Sequence, residues 1–197
     1  MTRPTPTVYF VTHPDVLIDP SVPVADWPLS PRGRERMARA LALPWVGRVG
    51  AVWCSTERKA RDGAEILAGH LGLPVQVLTE LGENDRSATG YLPKAEFEAV
   101  ADEFFARPHE SVRGWERAVD AQRRIVGAVE KVLDASAGGK GDVAIVAHGG
   151  VGTLLLCHLR GDPIGRTHDQ PPNNGGNYFA FDAATRRVHH GWRAIDS

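Results

Sequence analysis

Val143-Ala144-Ile145-Val146-Ala147-His148-Gly149-Gly150 sets an unbroken apolar run against a histidine and two glycines. A short, β-branched run of this kind fits a strand buried on both faces, as in a parallel sheet. Val8-Tyr9-Phe10-Val11-Thr12-His13 repeats the arrangement near the other end of the chain. Ligand crevices in open α/β sheets lie at the carboxyl ends of the strands. If these two strands are neighbours, His13 and His148 meet there despite their separation in sequence. Two imidazoles at one site suit nucleophilic or acid–base chemistry near neutral pH.

Strand and helix signals alternate outward from these runs. Ser30-Pro31 pairs an N-cap with a first-turn proline, and Met37 and Leu41 then share a face until Pro44. Ala51–Cys54 reads as a strand, with Ser55 or Thr56 able to cap the next helix. In that helix Ala60, Ala64, Leu67 and Leu71 form one stripe before Gly72 and Pro74 end it. A short strand follows at Val75–Leu78, then helices over about Lys94–Ala106 and Trp115–Asp134. The helix opened by Gly149-Gly150 carries Leu154, Leu155 and Leu159. Strands Tyr178–Phe181 and Val188–Trp192 close the chain as a hairpin. The pattern predicts one α/β domain over residues 1–197, a three-layer sandwich with a mainly parallel sheet flanked by helices. Two long irregular stretches, Pro14–Leu29 and Gly161–Asn177, are candidate substrate loops.

Composition narrows the function. A 197-residue chain buries roughly 70% of its unfolded surface and needs neither metal nor disulfide to fold. Lys and Arg total 23 against 24 Asp and Glu, so there is no basic footprint for nucleic acid. Cys54 and Cys157 sit in apolar sequence and read as buried, reduced thiols. No segment resembles a signal peptide or a membrane span, and a cytoplasmic protein is expected. A homodimer is compatible with this reading. No cofactor is implied and no metal either: Asp15 and Asp19 lie near His13, but no spacing matches a ligand set. A cysteine-based phosphatase is excluded, because Cys54 has Ala60, not arginine, at the end of a Cys-x5-Arg frame. Walker, Rossmann and Gly-x-Ser-x-Gly patterns are absent.

Arg58 stands in the first turn of the helix after Ser55, where a guanidinium and free amides suit a phosphate. His13, Arg58 and His148 together point to an anionic phosphoryl ligand.

The chain resembles the histidine phosphatase superfamily, with its phosphoglycerate mutase-like fold. Thr12-His13-Pro14 stands at the family's Arg-His-Gly motif, and Asp26-Trp27-Pro28-Leu29-Ser30-Pro31-Arg32-Gly33 resembles its Asp-x-Pro-Leu-Ser/Thr-x-x-Gly segment. Ser55-Thr56-Glu57-Arg58-Lys59-Ala60 is similar to Ser-x-x-x-Arg-Ala, Leu81-Gly82-Glu83 to Leu-x-Glu, and Val146–Gly150 to the second histidine motif. The resemblance implies a phosphoric ester hydrolase working through a phosphohistidine on a small phosphorylated substrate. His13 would be the nucleophile and Glu83 the general acid, with Arg58 and His148 on the phosphoryl oxygens. The short chain lacks an insert over the site, which favours phosphatase over mutase. Thr12, at the place of the motif arginine, leaves the phosphate pocket one guanidinium short. Arg86 is the expected replacement, with Arg32 and Arg34 as other candidates, and Glu80 and Asp85 compete with Glu83 for the acid. The alternative is a catalytically impaired member that binds a phosphorylated ligand or a protein partner. The remaining histidines (His109, His158, His168, His189, His190) read as solvated or structural, and Asn173–Asn177 as a turn.

Overall fold

The computed structural model describes residues 5–197 as a six-stranded mixed sheet between two helical layers. The strands are β1 (Thr7–Thr12), β2 (Val49–Cys54), β3 (Val75–Val77), β4 (Asp142–Ala147), β5 (Asn177–Asp182) and β6 (Val188–Ala194). Their order is β3-β2-β4-β1-β5-β6; the first four run parallel, and the final hairpin is antiparallel. The helices are α1 (Pro31–Ala40), α2 (Arg58–Leu71), α3 (Lys94–Ala106), α4 (Ala118–Ser136) and α5 (Gly149–Arg160).

Alternation within the buried strands divides the core in two. Tyr9, Val11, Ala144 and Val146 pack beneath α1 and α2, against Met37, Ala60, Ala64 and Leu67. Val8, Phe10, Val143 and Ile145 face the other way, onto Ile125 and Val129 of α4 and Leu155 of α5. A third cluster joins α3 to Trp115 and Leu154. Trp115 precedes α4 rather than opening it, because its ring is drawn into this cluster beside Phe97 and Phe104. No described helix is long and apolar enough to cross a membrane. Cys54 and Cys157 are buried and unpaired.

The register of β1 on β4 pairs Thr12 with Ala147, and the His13 amide donates to the Ala147 carbonyl at 3.1 Å. The next residue on each strand is a histidine. Chain connections leave β1 and β4 in opposite directions across the sheet, opening the crevice expected at such a point.

Behind this edge, α1 buries an arginine that sequence reading passed over. Arg36 lies on the inward stripe with Gly33, Met37 and Ala40 and is only 6% exposed. It pairs with Asp15 at 2.8 Å and Asp196 at 2.9 Å, and donates to the Asn173 and Gly175 carbonyls. Gly175 has φ +77°, and a Cβ there would meet the His13 carbonyl oxygen at 2.2 Å, so only glycine fits. The adjoining Gly176 amide donates to that carbonyl at 3.1 Å. Arg36→Met strands two partly buried carboxylates and two carbonyls. It should cost about 3 kcal/mol, read as a lower urea midpoint at unchanged m-value.

Candidate active site

Neighbouring strands β2, β4 and β1 end together and deliver Ser55, Glu57, His148 and His13 to one place. The two imidazole rings meet edge to face with centroids 5.2 Å apart. His13 Nδ1 lies 3.0 Å from the Pro14 carbonyl. A carbonyl can only accept, so Nδ1 carries the proton and Nε2 keeps its lone pair. Burial, with His148 and Lys59 adding to it, pushes the His13 pKa down to about 3. The ring is therefore neutral at any ordinary pH.

His148 caps α5 and is fully buried behind His13, off the cleft wall. Its Nε2 is 2.7 Å from Ser55 Oγ and 3.3 Å from Glu57 Oε1. Burial lowers its pKa too, against the opposing pull of Glu57 and Glu83. Its Nδ1 has no partner among the described residues.

The helix after β2 departs from the sequence reading. Arg58 points outward, 61% exposed, beside Asp62 at 3.5 Å, and does not reach the cleft. Lys59 is the inward residue: one step along α2 turns the side chain by roughly 100°. Its ammonium bonds to Glu57 at 2.5 Å and to the Val24 carbonyl at 2.7 Å, and it lines the cleft. An ammonium has three donors, so one is left over. Counting four residues on from Ser55, as the Ser-x-x-x-Arg-Ala frame requires, lands on Lys59 and not Arg58.

Glu57 went unnoticed in the sequence. Its carboxylate receives Lys59, stands against His148, and accepts the Glu83 amide at 2.8 Å. Burial alone would push this carboxyl up, but His148 and Lys59 outweigh it and hold the pKa at about 2.

Glu83 arrives on the loop after β3. Arg124 of α4 fixes that loop by donating to the Glu80, Gly82 and Glu83 carbonyls while paired with Glu116 at 2.8 Å. The Glu83 carboxylate accepts the Gly150 and Val151 amides at 3.0 and 2.9 Å, at the N-terminus of α5 where free N–H groups attract anions. Glu80 pairs with Lys131, and Asp85 turns to Ser87; neither stands against the histidines.

Thr12 is fully buried. Its hydroxyl bridges Gln170 at 2.8 Å and the Asn177 amide at 3.0 Å, and does not line the cleft. Of the three candidate arginines only Arg86 lines the cleft; Arg34 is held by Asp62, and Arg32 stands 73% exposed near Asp15. The Arg86 guanidinium stacks over Phe97 and Trp115 at 5.0 and 5.6 Å. Asn84, 6% exposed, lines the cleft with an Nδ2 that finds no hydrogen-bond partner among the described residues. Nothing in the local sequence marked it. The Asn173–Asn177 turn does reach the site, bringing Asn174 and Gly175 to the rim. His13, Glu83, Arg86 and Asn174 are shared by two lobes of about 610 and 800 Å³.

A parallel-edged α/β sandwich with two histidines on adjacent strand ends defines the phosphoglycerate mutase-like class. The model of the histidine phosphatase superfamily (branch 1) matches residues 21–190, and the chain belongs to that superfamily. The matched span opens after β1 and His13, the segment where Thr12 and Pro14 depart from the motif. Solved structures with the same fold include YhfR of Bacillus stearothermophilus, 24% identical, covering 93% of this chain and 94% of that one at a TM-score of 0.76. A mycobacterial glucosyl-3-phosphoglycerate phosphatase bound to inorganic phosphate is 22% identical over 98% and 99% of the two chains, with a TM-score of 0.75. The α-ribazole phosphatase of Shigella flexneri is 18% identical over 97% and 96%, with a TM-score of 0.68. No curated protein matches the chain significantly by sequence.

Proposed function

We propose that the protein is a phosphoric ester hydrolase that passes the phosphoryl group through His13 to water. The observation that carries this reading is the His13 ring: neutral, fixed at Nδ1 by the Pro14 carbonyl, with Nε2 left as the nucleophile. Nε2 attacks phosphorus, forming the P–N bond as the P–O ester bond breaks. A protonated Glu83 gives its proton to the departing oxygen; as carboxylate it then takes one from the water that cleaves the phosphohistidine. Lys59, Asn84 and Arg86 supply donors for the non-bridging oxygens, where charge must be met by preorganised groups. His148 backs the His13 ring, and Glu57 with Ser55 positions His148. Two of the three structural relatives carry a named activity, and both are phosphatases, in agreement with this chemistry.

Rapid mixing with 4-nitrophenyl phosphate tests the reading. A burst of nitrophenol should accompany an acid-labile phosphoryl group on the peptide containing His13. Turnover with no burst and no labelled His13 peptide would overturn it. The absence of an arginine at both motif positions, where transition-state charge would be met, favours a second reading in which phosphate is bound without turnover. Phosphate binding with no hydrolysis of any ester would select it.

A further inference from the structure

The larger lobe is apolar above its reactive floor. Trp27 of the β1–α1 loop and Tyr91 and Leu92 of the segment before α3 line this lobe alone, while Val16 and Ile18 border both lobes. The Trp27 and Tyr91 rings are 5.6 Å apart. The wall is built rather than incidental. Trp27 satisfies its indole N–H on the Asp19 and Val22 carbonyls inside its own loop, so the ring, only 5% exposed, meets the lobe with no polar demand of its own. A bridge between Val16 and Leu29 closes that loop, and Lys59 ties it to α2 through Val24. Ile18 and Tyr91 remain 55% and 40% exposed at the mouth, Tyr91 beside the Trp27 ring.

The smaller lobe offers little to a polyol. Arg166 is taken up by Glu98, Asp102 and Asp169, Thr153 by Asp169, and Gln170 by Thr12 and Asn177. Hydroxyls set against the Val16, Trp27 and Leu92 wall of the larger lobe would lose water without a side-chain partner on that wall, a costly way to bury them.

We propose that the larger lobe is the subsite for the alcohol half of the ester, and that this alcohol is apolar: an aryl or branched-alkyl phosphate monoester. The reaction assigned to that ester rests on the hydrolase reading above; the ligand class rests on the lobe itself. Arg86 and Lys94, neither with a carboxylate partner among the described residues, stand at the junction where the phosphoryl group meets the apolar wall.

Calorimetric titration with two non-hydrolysable phosphonates tests this. 1-Naphthylmethylphosphonate should bind at least ~10-fold more tightly than 2-hydroxyethylphosphonate, the return on burying roughly one apolar ring face. Tyr91→Ser with Ile18→Ser, both at exposed positions, should cut that preference at least ~3-fold and leave inorganic phosphate affinity unchanged. Equal affinity for the two phosphonates, or a preference untouched in the double variant, overturns the proposal. Preference without hydrolysis of 1-naphthyl phosphate upholds the subsite and sinks the hydrolase reading alone. Hydrolysis of aryl and polyol phosphates at equal kcat/KM sinks the subsite alone.

Discussion

His13→Ala should lower turnover of 4-nitrophenyl phosphate at least ~10⁴-fold, the scale on which loss of a covalent nucleophile is felt. No other cleft-lining side chain can take its place. His148 is sealed behind it and off the cleft wall, and Lys59 is occupied by Glu57 and Val24. The same residue fixes the acid limb of the pH profile. A histidine with the usual pKa of about 6.5 would lose its nucleophilic form tenfold per pH unit below that value. His13, with its pKa down at about 3, stays unprotonated, so kcat/KM should not fall between pH 6.5 and 5 on its account. Stopped-flow assays of wild type and variant across that range read both effects. Retained turnover in His13→Ala, or a limb at the ordinary histidine value that the variant abolishes, would refute the assignment.

Glu83→Gln should separate substrates by their leaving groups. A general acid is worth ~10²–10⁴ in rate when the departing oxygen needs a proton. Alkyl phosphates should therefore suffer that full loss in kcat/KM, which reads the P–O cleavage step and not the later attack of water, whereas 4-nitrophenyl phosphate, whose leaving group departs as an anion, should lose less than about tenfold in the same constant. The variant also weakens the fold slightly. The two α5 amides now share one carbonyl oxygen and lose an anion at the positive end of the helix, a cost of about 1 kcal/mol. Equal losses on the two substrates would remove Glu83 from the role of acid.

The sheet was legible because its two central strands are dominated by apolar runs and each is followed at once by a histidine. Such runs have few places to go except the middle of a parallel sheet, and neighbouring strand ends then bring the rings together. Glu83 was legible from its motif and its distance past β3. The helix after β2 was harder. Arg58 was preferred to Lys59 on chemical identity, yet a helix assigns its faces by spacing, and one residue separates solvent from cleft. Arg36 carried a signal that residue type concealed: it shares the buried spacing of Gly33, Met37 and Ala40. Glu57 and Asn84 had none. Their importance lies in contacts with His148, with the Glu83 amide and with the cleft, none of which local pattern encodes.

Thr12 also sets what a single substitution there can do. With its hydroxyl spent inside the protein and no room around it, Thr12→Arg would have to dissolve the Gln170–Asn177 pairing and force a long cation into a buried place. Restoring the motif arginine at that one position is therefore a route to instability, and further oxyanion donors are better engineered on the loops across the cleft.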